Sequence, residues 1–343
     1  MIVQLDLDTM DLSPEKYTLS NFIEACKNPE AFKHELKKRY GDVQKHVFYR
    51  EHGRPTNIMD ADWDNLLLLD ACRFDYLAEH NSIDGELTAA VSVASTSNEF
   101  MEKTFAGETF HDTVYVSANG FSHQLEDGTF HEFVSTYPES QRDVLDSELY
   151  RNYRPGIVRE KAVEAYERHP DKRLLVHFMQ PHGPYFGPKA EALRERLRTN
   201  QGLEFSAWKS DADVTSRSDG MVYLMDAAEA GYVSPAELQA VYVENLERVL
   251  EHVERLVERL DGKTVITADH GELLGETTNL YSRLTGDRYE HPGYVWTPEL
   301  RLVPWLVVPW ENRRDIVAER PVERDDVDDE VVEEHLRALG YQS

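Results

Sequence analysis

A short apolar run that ends in a cluster of polar residues constrains the fold of this chain most strongly. Residues 264–268 read Thr-Val-Ile-Thr-Ala, which has the length and the β-branched content of a buried strand. Asp269, His270, Gly271 and Glu272 follow it directly. Aspartate and histidine are good ligands for a divalent cation, and glycine lets the backbone turn. Because chemistry in an open α/β sheet sits beyond the carboxyl ends of its strands, we expect a functional site here.

Further apolar runs of strand length alternate with stretches of helical spacing. Strands are predicted at residues 65–69, 87–94, 113–117, 173–177 and 301–309, and helices at 98–105, 156–169 and 234–260. Four consecutive leucines in the first strand favour burial on both faces of a parallel sheet. Prolines in the last strand favour an edge or terminal position. The alternation predicts an α/β fold, doubly wound, with a mostly parallel sheet between helices.

The 343 residues contain no repeat and no low-complexity linker. Residues 1–60 are predicted to form a helical segment packed on the main domain, with apolar residues at helical spacing in 14–40. Residues 61–343 are predicted to form one α/β domain, in which 186–233 is a polar insertion or lid. An acidic helix is predicted at residues 325–340.

The charge balance is extreme, since 37 Lys and Arg residues stand against 64 Asp and Glu residues and give a net charge of −27. A nucleic-acid partner is not expected, because phosphate backbones need a basic footprint. The acidic surface is typical of a halophile, in which salt screens the self-repulsion of the protein. An ordinary acidic protein is the alternative.

The sequence also bears on location. No apolar run approaches the length of a membrane span, and the first residues carry neither a basic leader nor an apolar signal core. We therefore expect a cytoplasmic protein without a membrane span. The two cysteines, Cys26 and Cys72, form no disulfide or metal-binding pattern. The oligomeric state stays open.

Polar residues at three predicted strand ends could meet at one end of the sheet. Asp70 ends the first strand, residues 95–97 read Ser-Thr-Ser after the second, and the pair Asp269 and His270 follows a later one. Carboxylate, hydroxyl and imidazole together suit one or two divalent cations, such as Mn²⁺, Zn²⁺ or Mg²⁺. Each feature has a structural alternative, since a strand-end aspartate can cap a helix and such a triplet is more often a turn.

The Ser-Thr-Ser triplet is the candidate source of a nucleophile. A hydroxyl at a helix N-terminus lies beside backbone amides that favour an anion, and a nearby divalent cation favours its ionised form. Thr96 precedes Glu99 by three residues, which is the spacing of a capping box and predicts Thr96 at the N-cap. Thr96 is therefore the predicted nucleophile and metal-contacting hydroxyl, with Ser97 and Ser95 as alternates.

Three histidines could join the same site. His177 and His182 bracket a short segment in a loop that two prolines hold in place, and His291 stands shortly before the last strand. They are candidates for binding a second metal ion or the substrate. Ordinary surface or loop positions are the alternative.

Two charged residues have an ambiguous role in the sequence. Arg73 could bind an anionic substrate oxygen, or it could pair with Asp75 in a helix salt bridge. Glu272 could orient His270, or it could only cap the next helix.

Several segments resemble the sulfatase-like branch of the alkaline phosphatase superfamily, in the same order along the chain. Residues 70–75 read DACRFD, 177–185 read HFMQPHGPY and 267–272 read TADHGE. His291 ahead of the Leu-Val-Pro run resembles the late histidine of that branch. The resemblance runs from about residue 64 to 341 and does not cover the first 60 residues.

The resemblance implies an alkaline phosphatase-like α/β sandwich with a metal site at the carboxyl ends of the strands. Metal ligands would be Asp70, Asp269, His270 and the hydroxyl after the second strand. His182 and His291 would bind a second metal ion or contact the substrate.

One departure from the family pattern narrows the expected chemistry. Sulfatases of this branch convert the first residue of a Cys/Ser-x-Pro-x-Arg motif to formylglycine. Residues 95–99 read Ser-Thr-Ser-Asn-Glu and lack both the proline and the arginine. The pattern resembles members that use an unmodified threonine or serine.

We therefore expect a metal-dependent phosphoester hydrolase or phosphotransferase. Its substrate would be a small-molecule or a glycan- or lipid-linked anionic ester. A sulfate-ester hydrolase with an unmodified hydroxyl is one alternative. A catalytically silent member that binds an anionic glycan or regulates a partner is another.

Overall fold

The computed structural model describes residues 44–136, 154–205, 221–276, 282–283, 286 and 288–322. The chain divides into two compact units, Met1–Arg54 and Pro55–Ser343. Residues 44–52 of the first unit are helical. The helices predicted at 14–40 and 325–340 lie outside the described residues.

The second unit alternates strands and helices along most of its described length. Its strands are β1 (Asn65–Leu69), β2 (Glu86–Val91), β3 (Phe110–Ser117), β4 (Phe130–Ser135), β5 (Arg173–Phe178), β6 (Glu204–Phe205), β7 (Met221–Val222), β8 (Thr264–Thr267), β9 (Leu273–Leu274), β10 (Tyr289–Glu290) and β11 (Leu302–Val307). Its helices are α1 (Phe74–His80), α2 (Ser97–Phe105), α3 (Pro155–Arg168), α4 (Pro188–Gln201), α5 (Leu224–Glu229), α6 (Pro235–Val257) and α7 (Pro298–Arg301). Short 3-10 turns lie at Ile58–Asp60 and Gly120–Gln124.

One seven-stranded sheet organises this unit, in the order β2-β11-β8-β1-β5-β3-β4. The strands from β8 to β4 pair in parallel, whereas β11 is antiparallel to both β2 and β8. Helices flank the sheet, and the predicted α/β fold with a mostly parallel sheet is confirmed. The central position of β1 puts the end of that strand, and the residue after it, at the middle of the sheet.

The leucines of β1 enter two different cores, because alternate side chains of a strand point to opposite faces. Leu67 and Leu69 pack with residues of α1, α3 and α6. Leu66 and Leu68 pack with residues of α2 and of the two 3-10 turns. Each fully buried leucine stabilises the fold by about 2 kcal/mol. Burial on both faces explains why the strand is an unbroken apolar run.

The long helix α6 connects the scaffold to the loops at the end of the sheet. It begins as predicted, since Ser234 and Glu237 form a capping box at its start. Asn245 Nδ2 donates to the carbonyls of Pro181 and His182 at 3.1 and 2.9 Å. One turn of the helix earlier, the Tyr242 hydroxyl contacts the loop after β1. These contacts fix two loops relative to each other.

The position predicted for β11 is wrong. Its prolines indicated an edge or terminal strand, but β11 lies inside the sheet between β2 and β8. Pairing with β8 involves only Trp305, Leu306 and Val307. Pro304 stands just outside that pairing, opposite Ala89 of β2. The proline is tolerated inside the sheet because β8 is short.

The predicted insertion at residues 186–233 contains α4, β6, β7 and α5 in its described part. Apolar residues of α4 and α5 pack with Leu238 and Val241 of α6 and form a core separate from those beside the sheet. None of the helices among the described residues is long and apolar enough to cross a membrane.

Candidate metal centre

The loops after β1 and β8 bring two carboxylates and a histidine together. Asp70 follows β1, and Asp269 and His270 follow β8, its parallel neighbour. One ligand atom from each of these buried residues lies within 4.8 Å of the others. We call Asp70, Asp269 and His270 the Asp70 group. The structure thus brings together three of the residues that the sequence singled out as metal ligands.

Ala71 holds the loop of Asp70 against that of Asp269. Its φ is +57°, in the left-handed region that costs a non-glycine residue about 1 kcal/mol. Its N–H donates to Asp269 Oδ1 at 3.0 Å, and its carbonyl accepts the Tyr242 hydroxyl at 2.7 Å. Backbone strain of this kind is concentrated at functional sites.

Ser97 places a hydroxyl in the Asp70 group. Its Oγ lies 2.8 Å from Asp269 Oδ2, 3.2 Å from His270 Nε2 and 3.3 Å from Asp70 Oδ2. Ser97 is the first residue of α2. The hydroxyl therefore lies at the positive end of the helix dipole as well as beside potential metal ligands.

Thr96 does not reach this group. It is the N-cap of α2, as predicted, and its Oγ1 accepts the N–H of Glu99 at 3.1 Å. Ser95 Oγ also points elsewhere and donates to the Pro292 carbonyl at 2.9 Å. Of the three candidate hydroxyls, the structure therefore places that of Ser97, and not that of Thr96, in the Asp70 group. The physical reason is that a capping hydroxyl turns back to its own helix, which leaves the next side chain to face the strand ends.

Asn119 contacts the Asp70 group and was not among the candidate residues. Its Nδ2 donates to Asp70 Oδ2 at 2.6 Å, and its Oδ1 accepts the N–H of Phe121 at 2.9 Å. The only sequence signal was its position two residues after a predicted strand. Its amide fixes the orientation of the Asp70 carboxylate.

A second group of potential ligands consists of His182, Glu272 and His291, with ligand atoms within 4.8 Å of one another. We call it the Glu272 group. Glu272 Oε1 lies 2.9 Å from His291 Nδ1. The His291 ring lies 4.6 Å from the His270 ring and 5.1 Å from the His182 ring, measured between centroids. The two groups are therefore adjacent, and Glu272 contacts His291.

His177 lies beneath the Asp70 group on β5. Its Nδ1 lies 3.0 Å from the Tyr115 hydroxyl. Its Nε2 lies 3.7 Å from Asp269 Oδ2 and 3.8 Å from Asp70 Oδ2. The ring is fully buried and faces both carboxylates, so it contributes to their electrostatic environment.

Arg73 forms the salt bridge with Asp75 that the sequence offered as the alternative to substrate binding. It binds Asp75 through two nitrogens at 3.0 and 2.6 Å. Its Nη1 binds the Glu276 carboxylate and the Glu272 carbonyl. These bonds tie the start of α1 to the loop after β8 and occupy the guanidinium.

Several buried polar atoms suit a cation. Asp70 Oδ1, Glu272 Oε2 and His177 Nε2 are buried and have no hydrogen-bond partner among the described residues. Such an atom costs about 1–3 kcal/mol when it stays unpaired. Carboxylate, imidazole and hydroxyl ligands fit one or two divalent cations. The site is therefore suited to a divalent metal ion.

The carboxylates of the Asp70 group have opposite pKa shifts. Burial and the charge of Asp269 raise the pKa of Asp70 well above its usual range. Burial acts against ionisation of Asp269 too, but electrostatic interaction with His270 and His177 and hydrogen bonds from Ser97 and the Ala71 N–H outweigh it and lower its pKa. Asp269 is thus the carboxylate that stays ionised most readily.

The histidines of the two groups differ in the same way. Burial lowers the pKa of His270 to about 4, although Asp269 opposes the shift. Burial also disfavours the charged form of His291, but Glu272 outweighs it and raises the pKa to about 9. His270 is therefore neutral at pH 7, which is the form that binds metal.

Comparison with known proteins finds distant similarity to solved structures only. No family model and no curated protein matches the sequence. The structure is similar to the C-terminal periplasmic domain of EptC from Escherichia coli in complex with Zn, with 12% identity, a TM-score of 0.37 and coverage of 75% of this chain and 77% of that one. It is similar to the soluble domain of lipooligosaccharide phosphoethanolamine transferase A from Neisseria meningitidis, with 11% identity, a TM-score of 0.36 and coverage of 71% and 75%.

A third similar structure is the phosphonate monoester hydrolase of Agrobacterium radiobacter, with 12% identity, a TM-score of 0.44 and coverage of 71% of this chain and 67% of that one.

Proposed function

We propose that the protein is a divalent-metal-dependent enzyme that hydrolyses or transfers phosphate esters, with Ser97 as its nucleophile. One observation carries the proposal: a serine hydroxyl lies at a helix N-terminus, 2.8 Å from a buried carboxylate that stands among potential metal ligands. A serine that only begins a helix does not need to contact two aspartates and a histidine.

Different residues would bind metal and orient the nucleophile. The Asp70 group would hold one ion. The Glu272 group would hold a second ion, which would displace the proton of His291, because metal binding to a protonated ligand releases its proton. A bound divalent ion supplies positive charge for phosphoryl oxygens and lowers the pKa of a neighbouring hydroxyl. Asp269 Oδ2 accepts the hydrogen bond of Ser97 and holds its oxygen in place.

The proposed reaction needs an oxygen nucleophile aligned with phosphorus. Ser97 Oγ gives up its proton and forms a bond to phosphorus while the bond from phosphorus to the ester oxygen breaks. The ester oxygen takes up a proton and leaves as the alcohol. The amides at the start of α2 favour the negative charge on the transferring group. Water or an acceptor hydroxyl then takes the phosphoryl group from the serine.

A panel of esters with matched variants tests this function. Purified protein with Mn²⁺, Zn²⁺ or Mg²⁺ is assayed with an aryl phosphate, a bis-aryl phosphate and an aryl sulfate. We expect turnover of a phosphate ester, loss by a factor of at least about 10³ in Ser97→Ala, and little loss in Thr96→Ser, which keeps the cap.

Mass spectrometry after a rapid quench should locate the phosphoryl group on the peptide that contains Ser97. Full activity in Ser97→Ala, or turnover of the sulfate alone, would overturn the proposal. A chain that takes up no metal would favour the catalytically silent alternative.

A further inference from the structure

A segment beside the metal centre is held rigidly against the start of α2. Residues 291–295 are hydrogen-bonded at several points to residues 95–99. The bonds are Ser95 Oγ to the Pro292 carbonyl at 2.9 Å, Tyr294 N–H to Glu99 Oε2 at 3.2 Å, and Val295 N–H to Ser95 Oγ at 3.3 Å. One of the two segments carries His291 and the other carries Ser97. Residues 292–295 are therefore fixed next to the proposed active site.

Tyr294 is an unfavourable residue for its position in this segment. Its φ is +60°, in the left-handed region that a bulky side chain rarely adopts. Its side chain is 64% exposed, so the ring gains little from burial. Glycine would adopt the same backbone at lower cost. Folding alone therefore does not account for a tyrosine here.

The tyrosine ring is exposed but not without a neighbour. Lys103 Nζ lies 5.4 Å from the ring centroid, and the same ammonium binds the Glu99 carboxylate and the Val93 carbonyl. The lysine thus limits the orientations that the ring can take. An exposed ring of restricted orientation is suited to stacking on another ring.

We propose that Tyr294 is a specificity-determining residue, whose ring stacks on a ring-shaped alcohol portion of the ester. The proposal rests on the proposed function, because it assigns Tyr294 to the part of the substrate that is not transferred. The chemical class is an aryl or sugar ring, and the two share an apolar ring face that packs on an aromatic side chain. A small alkyl ester has no such face.

Trp310 provides a matched comparison within the chain. Its side chain is 44% exposed, and Lys263 Nζ lies 5.1 Å from its ring. Lys263 directly precedes β8, whereas Asp269 follows the other end of that strand. Trp310 therefore shares exposure and a lysine neighbour with Tyr294, but lies next to the end of β8 opposite the metal centre.

The test compares Tyr294→Gly, Tyr294→Phe and Trp310→Ala with phenyl phosphate and ethyl phosphate, by release of inorganic phosphate. In Tyr294→Gly we expect KM for phenyl phosphate to rise by about 10-fold, since losing an apolar contact costs about 10–200-fold in discrimination. KM for ethyl phosphate should not change in this variant, and the midpoint of its unfolding should not fall. Tyr294→Phe and Trp310→Ala should behave as wild type.

Binding of phenylphosphonate and methylphosphonate, measured by calorimetry, gives a readout that needs no turnover. We expect Tyr294→Gly to weaken only the phenyl compound. Equal losses for both compounds, or no loss for either, would overturn the proposal. Absence of turnover in the wild type would contradict the proposed function, and the ratio of the two binding constants would still decide the role of Tyr294.

Discussion

Arg301 Nη2 lies 3.0 Å from Glu99 Oε1, and both side chains are buried. Glu99 belongs to α2, the helix that begins at Ser97, and Arg301 ends α7 immediately before β11. Glu99 also accepts the N–H of Tyr294. This ion pair therefore joins the helix of the proposed nucleophile to the segment that follows His291.

Replacing Glu99 should destabilise the fold in a pH-dependent way. Burial raises the pKa of Glu99, but Arg301 and Lys103 outweigh it and lower the pKa to about 2. A depressed carboxyl pKa stabilises the protein above the unfolded value of about 4.3, and this contribution is lost as the pH falls towards 2. At pH 7, Glu99→Gln should lower the free energy of unfolding by about 3–5 kcal/mol, because it removes the carboxylate charge that faces the buried guanidinium of Arg301.

Chemical denaturation at several pH values between 3 and 7 measures this effect. Glu102→Gln, an exposed change on the same helix, is the control and should stay within about 0.5 kcal/mol of wild type. Equal stability of Glu99→Gln and wild type at pH 7 would show that the pair does not hold α2 in place.

Adding a divalent cation should stabilise the protein through the Asp70 group. A ligand that binds only the folded state at 100 times its dissociation constant contributes about 2.7 kcal/mol. We expect Zn²⁺ or Mn²⁺ to raise the unfolding midpoint of the metal-free wild type and to have no such effect on Asp269→Asn. Asp84→Asn changes an exposed aspartate and should respond like wild type. An unchanged response in Asp269→Asn would place the ion elsewhere.

Asn119 should tune metal affinity without being a ligand. Its amide bond to Asp70 Oδ2 orients the carboxylate, and loss of such a supporting bond typically weakens metal binding by about 10–100-fold. Asn119→Ala should show this loss in a titration with Zn²⁺ or Mn²⁺. Asn81→Ala removes hydrogen bonds to Ile83 and is the matched control. Equal affinities of both variants would contradict the role.

The sequence predicted the strands that are buried on both faces and the residues that directly end them. β1 contains four consecutive leucines and β8 reads Thr-Val-Ile-Thr, so the sequence placed Asp70, Asp269 and His270 at one end of the sheet. Parallel neighbouring strands end side by side, so the residues that follow them lie close together.

The sequence did not predict that Ser97, rather than Thr96, would face the Asp70 group. The capping pattern identifies which residue precedes the helix, and it did so correctly at Thr96. It does not reveal which hydroxyl faces the neighbouring strand ends, because successive helix residues differ in direction by about 100°. That orientation depends on how α2 packs on the sheet.

The contact between Glu272 and His291 was not predictable from the sequence either. The pairing of β9 with β10 brings Glu272 to His291. This pairing involves two residues of each strand, Leu273 with Glu290 and Leu274 with Tyr289. So short a ladder leaves no periodic pattern in the sequence. The internal position of β11 was also missed, since its proline is compatible with the sheet only because β8 ends before reaching it.

The net charge of −27 leads to a final prediction, on stability and salt. Repulsion between carboxylates acts over the Debye length, which shrinks from about 10 Å at 0.1 M salt to about 3 Å at 1 M. If the acidic surface is an adaptation to high salt, the unfolding midpoint should rise steeply between dilute buffer and 2 M KCl. Sucrose also stabilises folded proteins, but it does so by exclusion and without screening charge. Sucrose at equal osmolality should therefore raise the midpoint much less, and equal effects of the two solutes would show that the surface charge is not the cause.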